Sequence, residues 1–154
     1  MFPLRPKGWS FHKTCYMKID IKRYMGKWYE IARIHNEFEP NMTDVTAEYT
    51  LLESGNIKIV NSGFVNGTLK QIKGFASPTD NSDVLRVSFY PHISSDYKIL
   101  AVDENYQYAL VAGNTKNYLW ILARQPLITK NVYNKMLSIA KEKGYDINRI
   151  EITK

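Results

Sequence analysis

Eight strand-like runs follow one another through most of the chain, and several of them alternate apolar and polar residues. Alternation with a period of two is typical of strands that bury one face, and the segments between these runs are short and rich in Gly, Asn, Asp and Pro. Such short connections place consecutive strands side by side and antiparallel. The runs cover residues 28–34, 45–52, 56–64, 69–76, 84–90, 97–103, 106–112 and 118–124.

The apolar period changes to about 3.6 residues after the last of these runs, which indicates one amphipathic helix. Thr129 is suited to cap its N-terminus and Gly144 to end it. The final segment, residues 146–153, is predicted to add a short edge strand. The apolar stripe of the helix consists of Val132, Tyr133, Met136, Ile139 and Ala140.

Eight consecutive antiparallel strands can protect their edges by closing into a barrel or by stacking as a sandwich, and the number favours a barrel. We therefore predict an all-β fold, an eight-stranded up-and-down antiparallel β-barrel with one C-terminal α-helix packed outside. A barrel of about eight strands is either filled by side chains or just wide enough for one small ligand.

The chain of 154 residues has the length of one domain, and its formal charge of +6 is concentrated at the N-terminus. Residues 1–27 carry seven cations and one anion, whereas the charges of residues 28–154 balance. We predict a basic disordered tail over residues 1–17 and a barrel domain over 18–154. Such a tail is suited to peripheral contact with anionic lipid headgroups.

Three short motifs carry a family resemblance. Gly26 and Trp28 stand just before and at the start of the first strand, Asp103 and Tyr106 stand in a turn, and Arg124 ends the eighth run. In this order they resemble the three motifs of the lipocalins, and the likeness extends over residues 18–152. Within that family the chain is most similar to the bacterial lipocalins of the outer-membrane lipoprotein type, which are apolipoprotein D-like.

The resemblance implies structural roles for these motif residues. Trp28 would plug the closed end of the barrel, Arg124 would lie across its indole, and Gly26 would allow the tight turn into the strand. Asp103 and Tyr106 would bracket the adjacent turn with hydrogen bonds. The resemblance also implies a small hydrophobic ligand, namely a fatty acid or lysophospholipid stored or carried for membrane maintenance under stress. The lack of catalytic motifs in the sequence predicts that the protein is not an enzyme.

The ligand is expected to touch the inward faces of the strands and the open mouth. Arg33, Phe38 and Met42 are predicted at the mouth or in the lid over it, and Lys58, Lys70 and Lys98 are further candidates for pairing with an anionic headgroup. Strand parity predicts that the cavity is lined by Val45, Ala47, Tyr49, Ile57, Ile59, Leu85, Val87, Phe89, Tyr97, Ile99, Tyr108, Leu110, Tyr118 and Trp120.

Other functions find less support in the sequence. The motifs of nucleotide-binding loops, zinc proteases and serine hydrolases are missing, and the single cysteine, Cys15, precedes the barrel. We expect no metal, no cofactor and no nucleic acid, and a monomer or weak homodimer. A lipocalin-fold enzyme, a carrier of pigment or haem, and a basic barrel for single-stranded nucleic acid remain as alternatives. The resemblance implies the outer membrane or periplasm, whereas the N-terminus as it stands implies the cytoplasm.

Overall fold

The structure, a computed structural model, describes residues 11–13, 18–35 and 41–154, with residues 11–13 described as backbone only. Two α-helices are present in these ranges, α1 at Ile21–Tyr24 and α2 at Lys130–Glu142. Neither is long and apolar enough to cross a membrane. The strands are β1 Phe11–Lys13, β2 Gly26–Ile34, β3 Thr43–Leu51, β4 Ile57–Val65, β5 Thr68–Pro78, β6 Val84–Tyr90, β7 Ile93–Asp103, β8 Tyr108–Ala112, β9 Leu119–Ala123 and β10 Ile150–Ile152.

Strands β2 to β9 form a closed antiparallel barrel. Each pairs with the next along the chain, except that β2 closes the ring by pairing with β9. Tyr29 of β2 stands opposite Ala123 of β9 and opposite Thr46 of β3, so β2 is bonded on both sides. The predicted eight-stranded up-and-down barrel with an outer helix is confirmed.

The C-terminal strand β10 fills a gap in the barrel wall. β3 pairs with β2 only over Gly26 to Tyr29, whereas β10 pairs with β2 over residues 32–34. The backbone N–H of Thr153 then donates to Ile31, and the N–H of Asp44 donates to the carbonyl of Lys154. The predicted strand near the C-terminus is therefore present, and it continues the wall where β3 has left β2.

Strand β1 lies within the segment predicted as a disordered tail. Its three residues pair antiparallel with residues 101–103 of β7, so at these positions the chain is a strand rather than disordered. The physical reason is an open edge: β6 begins opposite Lys98, which leaves the end of β7 with unpaired backbone groups on that side. The other residues of the predicted tail lie outside the described ranges, and the boundary between residues 17 and 18 stays a prediction.

Two apolar layers lie on opposite faces of the barrel wall. The inner layer faces the lumen, by which we mean the space enclosed by β2 to β9. The outer layer is covered by α2, whose Val132, Met136 and Ala140 pack with residues such as Ala32 and Ile121 of the wall. The Thr129 hydroxyl accepts from the N–H of Val132 and caps this helix, as the sequence predicts.

Candidate ligand-binding lumen

One end of the barrel is closed around Trp28, which is 0% exposed. Its indole Nε1 donates to the carbonyl of Tyr24, 2.8 Å away, and the Tyr24 ring lies 5.0 Å from it. Tyr24 ends the short helix α1, whose first turn is capped by the Asp20 carboxylate. Helix α1 thus brings an aromatic side chain beneath the barrel, and the two rings together form the floor of the lumen.

Arg124 holds this floor in place from the outside. Its guanidinium carbon lies 3.7 Å from the centroid of the Trp28 ring, a cation–π distance. Its nitrogens donate to four backbone carbonyls, those of Arg23, Tyr24, Lys27 and Tyr106, at 2.9 to 3.2 Å. One side chain thereby ties together α1, β2 and the turn before β8. Its donors are directed at backbone and its face at the indole, which supports the structural role expected for it.

The turn between β7 and β8 is held by Asp103. Its carboxylate accepts from the backbone N–H groups of Gln107 at 2.6 Å and Tyr108 at 2.8 Å. Burial raises the pKa of Asp103, and these backbone donors oppose that rise. Tyr106 adopts a left-handed φ of 55°, and its hydroxyl accepts from the N–H of Asp20. The second motif therefore connects the closed end to the segment before α1.

Gly26 is required at the start of β2 for two reasons. Its φ of 96° is strained for any residue with a side chain, and a Cβ there would stand 3.3 Å from a guanidinium nitrogen of Arg124. The glycine thus makes room for the arginine of the third motif.

The inner layer is not buried evenly among the described residues. Ala47, Phe89, Tyr97 and Trp120 belong to the inner layer and yet remain partly exposed. Side chains that point inward and still meet solvent border accessible space, whereas Trp28 and Tyr24 of the floor are fully buried. Of the predicted lining residues, the inner layer contains Ala47, Tyr49, Ile57, Ile59, Leu85, Val87, Phe89, Tyr97, Ile99 and Trp120.

Two further predicted residues lie at the inner face near the mouth. The Tyr118 ring stacks on the Trp120 ring with centroids 6.3 Å apart. Val45 and Met42 fill the place that a side chain at Gly63 would take, because a Cβ built there meets atoms of both. Met42 thus packs beside Gly63, and its role at the mouth stays a prediction, while Phe38 falls outside the described residues.

The prediction that Tyr108 and Leu110 line the cavity is wrong. Both pack in the outer layer against α2, and Ala109 and Val111 of the same strand point into the lumen instead. Strand β8 is apolar on both faces because the helix covers its outer side. Without polar residues on one face, alternation cannot indicate which side is inward.

The cationic candidates separate into two groups. Lys58 stands opposite Phe75 and Lys98 opposite Ala112, both on the outer face. Lys70 stands opposite Gly63, on the inward face near the mouth.

Arg33 faces inward opposite Trp120 and forms a buried ion pair with Glu30, at 2.8 Å. The Thr153 hydroxyl donates to the same carboxylate, at 2.6 Å. Sequence reasoning did not select Glu30 or Thr153, because the pair depends on a register shift in β2 and on the position of β10.

Three tyrosine hydroxyls meet inside the lumen above the floor. The hydroxyl oxygens of Tyr24 and Tyr97 are 2.5 Å apart, and the Tyr49 hydroxyl donates to that of Tyr97 at 3.0 Å. We refer to Tyr24, Tyr49 and Tyr97 as the tyrosine cluster. Burial raises the pKa of Tyr49 to about 12 and those of Tyr24 and Tyr97 well above their usual value. All three are therefore protonated at neutral pH.

The tyrosine cluster predicts a loss of stability at alkaline pH. In the unfolded chain these phenols ionise near pH ~10, whereas in the folded protein they hold their protons more tightly. Their contribution to stability is present below pH ~10 and is lost as the pH rises through about 12, the value for Tyr49. We expect the melting temperature to fall across this range and an ultraviolet titration to show phenols that ionise late. If every tyrosine ionised near pH ~10 while the protein stayed folded, the buried cluster would be contradicted. Tyr49→Phe should remove one late phenol.

A separate groove lies on the outer face of β2 to β5 and has a volume of about 370 Å³. Its lining includes Lys27, Glu48, Phe64 and Leu69, so that both charged and apolar side chains contribute to it. These residues occupy the outward positions of their strands. The groove is therefore separate from the lumen.

Comparison with known sequences shows the family. The description "Lipocalin-like domain" matches residues 19–154. The outer membrane lipoprotein Blc of Escherichia coli strain K12 is 37% identical over 153 residues, covering 96% of this chain and 83% of the relative. Temperature-induced lipocalin-1 of Arabidopsis thaliana is 36% identical over 88% of this chain and 78% of its own length. Mouse apolipoprotein D is 34% identical over 96% of this chain and 84% of its own length.

Solved structures show the same fold at lower identity. Lobster apocrustacyanin A1 superposes with a TM-score of 0.72 at 20% identity, over 86% of this chain and 77% of that one. Insecticyanin from the tobacco hornworm Manduca sexta superposes with a TM-score of 0.72 at 18% identity, over 89% of this chain and 81% of that one. With the closed barrel, the Trp28–Arg124 contact and these relatives together, the chain belongs to the lipocalin family, whose members generally bind and transport small hydrophobic ligands.

Proposed function

We propose that this lipocalin binds a fatty acid or a lysophospholipid in its lumen and stores or carries it. The observation that carries the proposal is the division of the inner layer: the floor is fully buried, whereas Ala47, Phe89, Tyr97 and Trp120 above it are apolar or aromatic and partly exposed. A long acyl chain placed against these side chains gains about 0.8 kcal/mol per buried methylene. A closed floor below partly exposed inner side chains suits a ligand that enters by one end.

The headgroup in this proposal stays at the mouth. Lys70 lies on the inward face near the mouth and is exposed, so its ammonium group can meet a carboxylate or phosphate without leaving water. Arg33 is less suited, because it is buried in an ion pair with Glu30. An anionic headgroup placed deep in the lumen would lose its hydration, which is far more costly than a contact at the mouth.

We propose a membrane as the source or destination of the lipid. The bacterial relatives are named outer membrane lipoproteins, which supports a role in membrane maintenance. In addition, Tyr90 and Ile93 are paired at the tip of the β6–β7 hairpin, beside the mouth, and are 60% and 66% exposed. Apolar side chains exposed at this end are suited to the surface of a bilayer, from which a lipid would enter the lumen.

A substitution that fills the lumen tests this function. Ala47→Phe places a ring just above the floor, because Ala47 stands opposite Trp28. We expect the affinity of the delipidated protein for a fluorescent fatty acid and for lysophospholipid to fall at least about tenfold, since several methylenes lose their place. The melting temperature should change little, because Ala47 is itself partly exposed. Fluorescence titration measures the affinity for the fatty acid, and native mass spectrometry measures binding of the lysophospholipid.

Thr50→Phe is the matched control for this experiment. Thr50 lies on the same strand but on its exposed outer face, so the added ring cannot reach the lumen. We expect wild-type affinity for this variant. Equal affinity of Ala47→Phe and wild type would place the ligand outside the lumen, and a folded wild-type protein that binds neither lipid would exclude the proposed function.

A further inference from the structure

The three hydroxyl groups of the tyrosine cluster offer one hydrogen-bond donor more than the hydrogen bonds between them use. Three phenols have three O–H donors, and two hydrogen bonds join them, one between Tyr24 and Tyr97 and one from Tyr49 to Tyr97. Each bond takes one donor. One O–H group is therefore left without an acceptor among the described residues, although the cluster lies on the inner face of the barrel.

The burial of each side chain indicates which hydroxyl is left as the unused donor. Tyr49 donates to Tyr97, so the remaining donor belongs to Tyr24 or to Tyr97. Tyr24 is 0% exposed, and a buried donor without a partner costs about 1 to 3 kcal/mol. Tyr97 is partly exposed and points inward opposite Leu85. The lower free energy is reached when Tyr24 donates to Tyr97 and Tyr97 directs its own O–H toward the open part of the lumen.

We propose that the Tyr97 hydroxyl is a specificity-determining donor, which binds an uncharged acceptor oxygen on the part of the ligand that enters the lumen first. The inference rests on the proposed function, because it assumes a ligand in the lumen. It adds the ligand class: an acyl chain that carries a hydroxyl or a ketone in the half farther from its headgroup. An unmodified chain removes water from Tyr97 and offers no acceptor in return.

The acceptor is uncharged because no cation in the described part of the lumen is placed to pair with a deep anion. Arg33 is engaged with Glu30, and the guanidinium of Arg124 lies beyond Trp28 with its donors on four carbonyls. A carboxylate beside the tyrosine cluster would be buried without a countercharge, which is strongly unfavourable. A hydroxyl or ketone carries no such cost.

A series of ligands tests this on the delipidated wild-type protein. Palmitic acid is compared with hydroxypalmitic and ketopalmitic acids in which the oxygen moves stepwise from the carboxyl end to the carbon before the terminal methyl. We expect one region in the distal half of the chain where both modifications improve affinity about tenfold over palmitic acid. The ketone shows whether the ligand oxygen acts as a hydrogen-bond acceptor, since a ketone cannot donate a hydrogen bond.

Tyr97→Phe removes the donor while keeping the ring. In this variant we expect the same oxygenated chains to bind more weakly than palmitic acid, because their oxygen is then buried without a partner, while palmitic acid still binds. Tyr133→Phe removes a hydroxyl from α2, outside the barrel, and should preserve the wild-type order. Circular dichroism establishes folding of both variants.

The outcomes distinguish the two proposals. If palmitic acid and all its oxygenated forms bind the wild type equally, the assignment of Tyr97 is overturned and the lipid-binding function stands. If Tyr97→Phe still prefers the oxygenated chains to palmitic acid, another group binds their oxygen and the assignment is also overturned. If none of these acids binds the folded wild type, the proposed function itself fails. Because the ligand series needs no substitution, the inference is tested even if Tyr97→Phe does not fold.

Discussion

Replacing Trp28 by alanine is expected to lower the free energy of unfolding by about 3 to 5 kcal/mol, the range for a large aromatic side chain removed from a core. Trp28 is fully buried at the closed end, donates to the carbonyl of Tyr24 and stacks under the guanidinium of Arg124. The substitution removes all three contacts and leaves a cavity beneath the lumen. Chemical denaturation of the delipidated protein, followed by circular dichroism, measures the change.

Trp120→Ala is the matched control, since it removes the same side chain from the wall of the lumen. Trp120 is partly exposed, so we expect a smaller loss of stability than for Trp28→Ala and a larger loss of ligand affinity. The structural role of Trp28 would be contradicted if its alanine variant changed the order of ligand affinities and kept the wild-type free energy of unfolding.

Val87→Arg is expected to abolish ligand binding and to lower stability by several kcal/mol. Val87 is 8% exposed, points inward and stands opposite Ala76 and Ser95. An arginine there would place a charged group in an apolar part of the lumen at a high desolvation cost, and its length would occupy the path of the ligand. Native mass spectrometry for a bound lipid and thermal denaturation measure the two effects.

Thr50→Arg controls for the added charge, because Thr50 is exposed on the outer face of β3. This variant should bind as the wild type does and melt within a few degrees of it. A folded Val87→Arg protein with wild-type affinity would show that the ligand does not occupy the lumen at this depth.

Alternation in the sequence identifies the inward-facing residues of a strand when the outer face of that strand is exposed to solvent. In β6, Leu85 and Val87 alternate with Arg86 and Ser88, and the structure places the two apolar residues inside. In β8 the outer face is covered by α2, so Tyr108 and Leu110 could not be distinguished from Ala109 and Val111 by polarity. The difference between these strands is the helix, which the alternation within a strand does not reveal.

Contacts between distant segments were the part of the site that the sequence did not predict. The tyrosine cluster joins α1, β3 and β7, and no spacing within the chain indicates that Tyr24 turns back beneath the barrel. Similarly, Arg33 faces inward because the register of β2 against β9 shifts between Glu30 and Ala32. A strict period of two counted from Trp28 would place Arg33 outside.

The helix on the outer wall divides the barrel mechanically. Strands β8 and β9 are buried on both faces, whereas the outer face of β5 is exposed along its length. Opening of backbone hydrogen bonds is least favourable where side chains are packed on both sides, and easiest where one side meets water. The lumen therefore has a stiff half beside α2 and a compliant half around β5. If the proposed ligand occupies the lumen, movement of the compliant half would accommodate differences in its width, while the stiff half would keep the register of the barrel.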